Sequence, residues 1–180
     1  DGAGSIFFEV EDALTLTQVR FDDGTEWDSQ LISNEIERQL LGGIAGSALA
    51  DTVQGTAGND SIETYAGNDI VNANAGDDEV YGGAGSDELY GEMGNDILDG
   101  GDGDDIIDGG EGNDRLYGHN GNDTLSGQAG NDIIYAGYGN DFAYGGDGDD
   151  SVTGGEGDDY LNGGAGEDVL NGSGGKDTLE

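Results

Sequence analysis

The 180-residue chain has no cysteine and only one histidine, His119. Without cysteine, the fold is not built on disulfide bridges. Zinc is disfavoured as well, because protein zinc sites rely on Cys and His ligands. The same shortage leaves no recognisable pairing of a nucleophile with a general base. We therefore expect this chain to have no catalytic activity of its own.

Positive charge is almost missing: four Lys and Arg face 41 Asp and Glu, giving a formal net charge of −37. Residues 1–54 carry a net −9 and residues 55–180 a net −28. Such a surface repels phosphates, so nucleic acid is excluded as a partner. A chain with this charge also repels itself, and we expect it to be disordered when no cation is present.

Long hydrophobic runs are absent too. No stretch is long or apolar enough to span a membrane, and no N-terminal signal peptide is recognisable. The sequence also does not match two common ligand-binding loops, the phosphate-binding loop and the EF-hand. Gly175-Lys176 lacks the first glycine of a phosphate-binding loop, and the carboxylates recur every nine residues without the closing Glu of an EF-hand.

Glycine is abundant, with 39 residues, and it follows a nine-residue period. From residue 55 to 180, fourteen copies of the frame G-G-x-G-x-D-x-Φ-x fill all 126 positions, where Φ is aliphatic. Position four is Gly and position six is Asp in all fourteen copies, and position eight is large and aliphatic in thirteen, Ala143 being the exception. A period this strict predicts a stack of small identical units.

The columns of the repeat predict its conformation. Glycine tolerates positive φ, so the Gly-rich hexapeptide is expected to turn sharply, and the last three residues favour a short strand. Side chains alternate along a strand, so position eight faces inward while positions seven and nine face outward. Two repeats then make one coil of eighteen residues. Repeat n lies against repeat n+2, which gives two opposed parallel sheets and two rows of Asp-bearing loops.

The copies resemble the nonapeptide repeats of the RTX family, the calcium-binding parallel β-roll of bacterial secreted proteins; residues 100–108, Gly-Gly-Asp-Gly-Asp-Asp-Ile-Ile-Asp, are a clean copy. Together, the period and the resemblance predict an all-β, right-handed parallel β-roll (a β-solenoid) of about seven two-repeat coils. The resemblance implies that each Ca²⁺ lies between the loops of repeats n and n+2. Fourteen repeats allow up to about twelve such pairs.

The implied ligands are the position-six aspartates and backbone carbonyls of the Gly-rich turns. Ca²⁺ suits them because it takes six to eight oxygens in flexible geometry, whereas Mg²⁺ retains its waters and needs a strict octahedron. The carboxylate ligands are Asp60, Asp69, Asp78, Asp87, Asp96, Asp105, Asp114, Asp123, Asp132, Asp141, Asp150, Asp159, Asp168 and Asp177. The carbonyl ligands are Gly82, Gly83, Gly85, Gly100, Gly101, Gly103, Gly109, Gly110, Gly112, Gly145, Gly146, Gly148, Gly154, Gly155, Gly157, Gly163, Gly164 and Gly166.

The sites are not expected to be equal. The copies beginning Thr64-Tyr65 and Ala73-Asn74 lack both leading glycines, so we expect their turn geometry to suffer, whereas 82–90, 100–117 and 145–171 should bind best. Asn or Asp at position five is expected to hydrogen-bond its own turn. Tyr117 and Tyr135 share a column on alternate repeats and should stack outside one sheet.

The first 45 residues do not follow the nine-residue repeat and have a different sequence pattern. Segments 6–10, 14–16 and 19–21 predict short strands, and Asp23-Gly24 predicts a turn. Asp28 is a candidate N-cap, with Trp27 stapled to Ile32, for a helix near 29–41. Residues 19–28 resemble the F-x-D-G-T-x-W segment found between RTX repeat blocks. We expect 1–45 to cap the roll, 46–54 to be a degenerate first repeat, and 55–180 to be the repeat domain.

The functional prediction is a calcium-binding repeat module of a larger secreted bacterial protein, which folds on meeting extracellular Ca²⁺. The resemblance implies export by type I secretion machinery and a location outside the cell or on its surface. The chain starts abruptly and stops at the ninth position of a repeat, so we expect it to be a piece of a longer polypeptide. Two alternatives remain open: a structural or adhesive spacer of a surface adhesin, or the non-catalytic repeat part of a secreted enzyme or toxin.

Overall fold

The computed structural model describes residues 7–12, 15–20, 26–28 and 43–180, and for the first three ranges it describes the backbone strands alone. The chain divides into two compact units, residues 1–43 and 44–180.

The first unit contains a three-stranded antiparallel sheet in the order β1-β2-β3. Its strands are Phe7–Asp12 (β1), Thr15–Arg20 (β2) and Glu26–Asp28 (β3). The strand predicted at 6–10 is confirmed from residue 7 onward. Within the described residues, the segments predicted at 14–16 and 19–21 lie in one strand, Thr15–Arg20, because the residues between them stay extended and pair with β1 through Glu9 and Gln18. Trp27 and Asp28, assigned above to a helix start, lie in β3, and the helix near 29–41 falls outside the described residues.

The second unit is a parallel roll of sixteen strands in two eight-stranded sheets. Even-numbered strands form one sheet and odd-numbered strands the other, so repeat n pairs with repeat n+2 as predicted. The strands are Gly43–Ala45 (β4), Thr52–Gln54 (β5), Ser61–Glu63 (β6), Ile70–Asn72 (β7), Glu79–Ala84 (β8), Glu88–Met93 (β9), Ile97–Asp102 (β10), Ile106–Glu111 (β11), Arg115–Asn120 (β12), Thr124–Ala129 (β13), Ile133–Tyr138 (β14), Phe142–Asp147 (β15), Ser151–Glu156 (β16), Tyr160–Ala165 (β17), Val169–Gly174 (β18) and Thr178–Leu179 (β19).

The predicted right-handed parallel β-roll is therefore confirmed, with about eight coils instead of seven. The additional coil comes from the degenerate repeat 46–54 and from β4, a strand that was not predicted from the sequence. β4 continues the nine-residue frame upstream, since Ile44 stands at position eight and packs against the core.

The strands are longer than the sequence predicts. From β8 to β18 they span six residues, covering positions seven to nine of one repeat and one to three of the next. The Gly-Gly pairs thus lie inside strands, as in the parallel pairing of Gly101 with Gly83, and the turn shrinks to positions four to six. The expectation of a six-residue turn was wrong because glycine, though weak as a strand former, continues a ladder that its neighbours have fixed.

Two columns of side chains fill the interior. Position eight is buried throughout the middle of the roll, from Ile62 to Leu161. Position one lies two residues further along the same strand and also faces inward, as alternation requires. It is Gly in eleven repeats, and Thr64, Ala73 and Ala136 fill it in the others. The core is therefore narrow, with one aliphatic residue and one very small residue per repeat.

Candidate metal centre

The position-six aspartates form a hydrogen-bonded ladder along each row of loops. The backbone N–H of each one donates to Oδ1 of the aspartate eighteen residues further on, from Asp51 to Asp69 at 2.7 Å up to Asp159 to Asp177 at 3.2 Å. Central members are uniform, as in Asp96 to Asp114 at 2.8 Å. All fourteen predicted aspartates take part, so one oxygen of the carboxylates from Asp69 onward already has a partner.

The second carboxylate oxygen is different. Oδ2 of eleven aspartates is buried and accepts no hydrogen bond from any described residue. Burying a charged oxygen without a partner is costly, so this oxygen needs a proton or a cation. These eleven residues are Asp69, Asp78, Asp87, Asp96, Asp105, Asp114, Asp123, Asp132, Asp141, Asp150 and Asp159.

The ionisation of these carboxyls reflects the same burial. Desolvation raises the pKa of Asp105 and Asp114 to about 7, although a backbone hydrogen bond to each carboxylate acts in the opposite direction. The pKa values of Asp96, Asp123, Asp132 and Asp141 rise to about 6 for the same first reason. Neighbouring aspartates in the ladder raise the pKa further, since like charges disfavour ionisation. Burial also raises the pKa of Asp78, Asp87, Asp150 and Asp159.

In the eight of these repeats that begin with glycine, Oδ2 is turned toward that position-one glycine. A Cβ on Gly91 would lie 2.4 Å from Asp96 Oδ2 and 2.5 Å from the Gly109 carbonyl oxygen of the next coil. A Cβ on Gly127 would lie 2.2 Å from Asp132 Oδ2 and 2.6 Å from the Gly145 carbonyl oxygen. We call this arrangement a cradle: a position-six Oδ2 and a position-one carbonyl oxygen two repeats on, meeting beside a position-one glycine.

The cradles suit a hard cation that accepts main-chain oxygens. Among residues 43–180, no three His, Cys, Asp or Glu side chains converge as a cluster that could hold a metal. A cation held here therefore needs backbone carbonyls beside the carboxylate, which fits the mixed oxygen coordination of Ca²⁺.

The predicted carbonyl-bearing glycines lie at positions one and two, inside the strands, and at position four, in the turns. Position four is the tightest, because a Cβ on Gly112, whose φ is +143°, would lie 1.6 Å from the Gly94 carbonyl oxygen. Only glycine allows both that φ and that approach. The loops of successive coils are thus stacked main chain on main chain.

The expectation that the copies without a Gly-Gly pair lose their turn geometry was wrong. Tyr65 and Asn74 keep positive φ at position two, with values of 70° and 77°. Glu92, His119, Gln128 and Ser173 do the same. None of these residues is β-branched, so each can enter the left-handed region at modest cost. Asp69 and Asp78 in these two copies also keep a buried, unpartnered Oδ2.

Position five forms a second ladder, and the prediction that its side chains bond their own turn was wrong. They bond neighbouring coils: Asn113 N–H donates to Asn95 Oδ1 at 3.0 Å, and Asn131 N–H to Asn113 Oδ1 at 2.8 Å. Position-five N–H groups point back to the preceding coil, whereas position-six N–H groups point forward. Bonds from Asn95 and Asn122 hold the pKa of Asp77 and Asp104, respectively, below the usual value.

The outer faces carry the predicted aromatic pair. Tyr117 and Tyr135 are register partners and stack with ring centroids 5.5 Å apart and planes 11° apart, which confirms the prediction. His119 stacks on Tyr117 and places Nε2 3.0 Å from Asp99 Oδ2. The histidine side chain is therefore exposed and packs on the outer face with Tyr117 and Asp99.

A parallel solenoid with a row of buried carboxylates and converging main-chain oxygens along each side defines a class of cation-binding repeat rolls. The chain belongs to the RTX family: the family model for the RTX calcium-binding nonapeptide repeat (4 copies) matches residues 46–80, 72–107, 81–116, 90–125, 108–143, 117–152 and 144–179. The repeats of this family bind calcium. No individual curated protein matches the chain. Within the described ranges, no helix is long and apolar enough to cross a membrane.

Proposed function

We propose that the roll binds Ca²⁺ in its cradles and that this binding drives folding. The observation that carries the proposal is the set of eleven buried Oδ2 atoms without a hydrogen-bond partner. A carboxyl with a pKa of about 6 to 7 loses its proton at or above neutral pH, and the remaining buried anion then needs a cation. The cradle supplies that cation with a carboxylate and a carbonyl oxygen.

The ligands in this proposal are the position-six aspartates from Asp69 to Asp159, together with backbone carbonyls of the Gly-rich segments. Bound Ca²⁺ supplies positive charge between coils that otherwise repel each other. The net charge of −37 and the narrow core destabilise the folded state of the metal-free chain. Ligands that meet only in the folded state couple the free energy of binding to folding.

We further propose that this coupling serves export. RTX repeats are typical of secreted bacterial proteins, and extracellular calcium modules commonly bind in the ~10⁻⁴–10⁻³ M range. Cytosolic calcium is too scarce to fold such a chain, which leaves it loose enough for a type I channel. Calcium outside the cell then folds it and favours its retention there. In this role the module is a non-catalytic part of a larger secreted polypeptide.

The test is circular dichroism during a calcium titration that starts from metal-free protein. The β signature should appear only as Ca²⁺ is added, and Mg²⁺ at the same concentration should not replace it. A β signature that is already complete in EGTA at neutral pH contradicts coupled folding.

Site assignment needs a matched pair of variants. Asp105→Asn removes a cradle carboxylate, so the number of bound Ca²⁺ per chain should fall and the folding midpoint should move to higher calcium. Asp147→Asn makes the same charge change at an exposed position-three residue in β15 and should leave both quantities unchanged. Equal effects of the two variants would show that bulk charge, and not a defined ligand, controls calcium binding.

A further inference from the structure

The first two loops of the roll, 46–51 and 55–60, have a different conformation from all later ones. In every repeat from 64 onward, positions two and four both have positive φ. In the first two loops, neither Ser47 and Leu49 nor Thr56 and Gly58 has positive φ. A missing Gly-Gly pair does not by itself explain this difference. Copies 64–72 and 73–81 also lack that pair, yet they keep positive φ at positions two and four.

The carboxylates of these two loops are satisfied by the protein itself. Thr56 donates to Asp60 Oδ2 through its backbone N–H at 2.6 Å and its hydroxyl at 3.0 Å. Ser47 makes the same two bonds to Asp51 Oδ2, at 2.6 and 2.9 Å. The hydroxyls also close the turns, since Leu49 N–H and Gly58 N–H each donate to one of them at 3.2 Å.

These bonds occupy the oxygen that the later loops leave free. Neither Asp51 nor Asp60 is among the aspartates with an unpartnered Oδ2. Oδ2 is also drawn away from position one: a Cβ on Gly46 or Gly55 would lie 2.9 Å from it, against 2.2–2.5 Å in the ten repeats from Gly82 to Gly172 that begin with glycine. In the first two loops Oδ2 is therefore already hydrogen-bonded and lies farther from position one, although the position-one carbonyl oxygen of the next coil is still close, with Ala73 O 2.4 Å from a Cβ on Gly55.

Single residues account for both exceptions. Leu49 stands where the thirteen loops from residue 64 onward have a position-four glycine with strongly positive φ, a conformation closed to leucine. In the second loop every other position matches the frame, as Gly55-Thr56-Ala57-Gly58-Asn59-Asp60 shows. Thr56 is β-branched, so positive φ is a far greater strain for it than for the unbranched residues at position two elsewhere.

We propose that Ser47 and Thr56 replace the cation in the first coil, so that these two loops close without calcium and the row of calcium sites begins at Asp69. This inference rests on the proposed function and narrows it: Asp60, included above among the family-implied ligands, holds no calcium in the native chain. The first coil is a metal-independent end to a metal-dependent roll.

The deciding experiment counts bound Ca²⁺ per chain by native mass spectrometry and by equilibrium dialysis, using the full chain. Asp60→Asn should leave the count unchanged, whereas Asp105→Asn should lower it. Thr56→Gly turns the loop into Gly-Gly-Ala-Gly-Asn-Asp, which differs from residues 82–87 only at position five. This variant should bind one additional Ca²⁺, and Asp60→Asn in the same background should remove it.

Thr56→Val is the matched control. Valine keeps the β-branch, which disfavours positive φ, but lacks the hydroxyl. This variant should therefore bind no additional Ca²⁺. Because its loop also loses the hydroxyl bonds to Asp60, it should need more calcium to fold than the native chain. Ser173→Gly, at a position two that already has positive φ, should leave the count as it is.

The outcomes separate the two proposals. A lower number of bound Ca²⁺ in Asp60→Asn, or no additional Ca²⁺ in a folded Thr56→Gly, overturns the proposal that the first coil closes without metal. Either result leaves calcium binding by the other loops unaffected. If Thr56→Gly does not fold, the Asp60→Asn count in the native background decides alone. A native chain that binds no calcium, or an unchanged count in Asp105→Asn, contradicts the proposed function itself.

Discussion

Gly112→Ala measures how strongly the stacked loops depend on glycine. The new Cβ would lie 1.6 Å from the Gly94 carbonyl oxygen, so the two coils must separate at that turn. Forcing alanine to a φ of +143° costs about 1–3 kcal/mol. Separation also weakens the Gly94 N–H bond to Glu111 O at 2.8 Å and the Asn113 N–H bond to Asn95 Oδ1 at 3.0 Å, each contributing about 1 kcal/mol. We expect a total loss of about 3–5 kcal/mol.

Gly58→Ala is the matched control in the same column of the repeat. A Cβ there would meet no atom within 4 Å, and Gly58 does not have positive φ. We expect a change in stability within about 0.5 kcal/mol, as for other exposed substitutions.

The assay is urea unfolding in saturating calcium, followed by circular dichroism. With a slope of about 1–3 kcal/mol per molar urea, Gly112→Ala should lower the midpoint by at least about 1 M, while Gly58→Ala should leave it in place. Similar shifts for both variants would refute the argument from close backbone stacking, since only general glycine flexibility would then explain the invariant column.

Two further predictions concern protonation and the position-five ladder. The buried carboxyls, such as Asp105 and Asp114, have a higher pKa in the folded roll than in the unfolded chain. Folding therefore takes up protons, and this contribution to stability is complete below about pH 4 and is lost as the pH rises through about 6 to 7. In calcium-free buffer, circular dichroism should show more β structure at pH 5 than at pH 8; equal spectra would contradict the burial of the carboxylates. In the ladder, Asn113→Ala removes bonds to both neighbouring coils and should cost about 1–2 kcal/mol in urea unfolding. Ser86→Asn restores the amide common in that column and should be neutral or stabilising; a clear loss on Ser86→Asn would argue against a continuous ladder.

Much of the roll could be predicted from the sequence because its signal is periodic. The invariant Asp column and the aliphatic column fix the register, and the Tyr117–Tyr135 stack follows from the spacing of eighteen residues. The inward-facing position-one column could also have been found, since alternation continues two residues past Leu98 to Gly100. The prediction stopped at the glycines because their propensity indicates turns.

Other features depend on contacts that no residue column specifies. Whether Asn113 bonds its own turn or the next coil depends on the distance between loops, which exists only in the stack. Whether Oδ2 of Asp60 is free for a cation or bonded to Thr56 depends on one β-branched residue, which the sequence alone shows only as a departure from the frame. In both cases, local hydrogen-bonding preference and the stacked geometry compete, and the sequence shows only the first.

The opposed directions of the two amide-and-carboxylate ladders have a consequence for changes in length. Most interfaces between neighbouring coils repeat the same pair of bonds, a position-six N–H bond to the following coil and a position-five N–H bond to the preceding coil, so removing eighteen residues from the middle rejoins equivalent surfaces. Removing nine would instead move every later strand to the opposite sheet and carry Tyr135 to the face that now holds Phe142 and Tyr160. Two repeats, and not one, are therefore the smallest increment by which such a protein can grow or shrink while keeping the identity of its two faces.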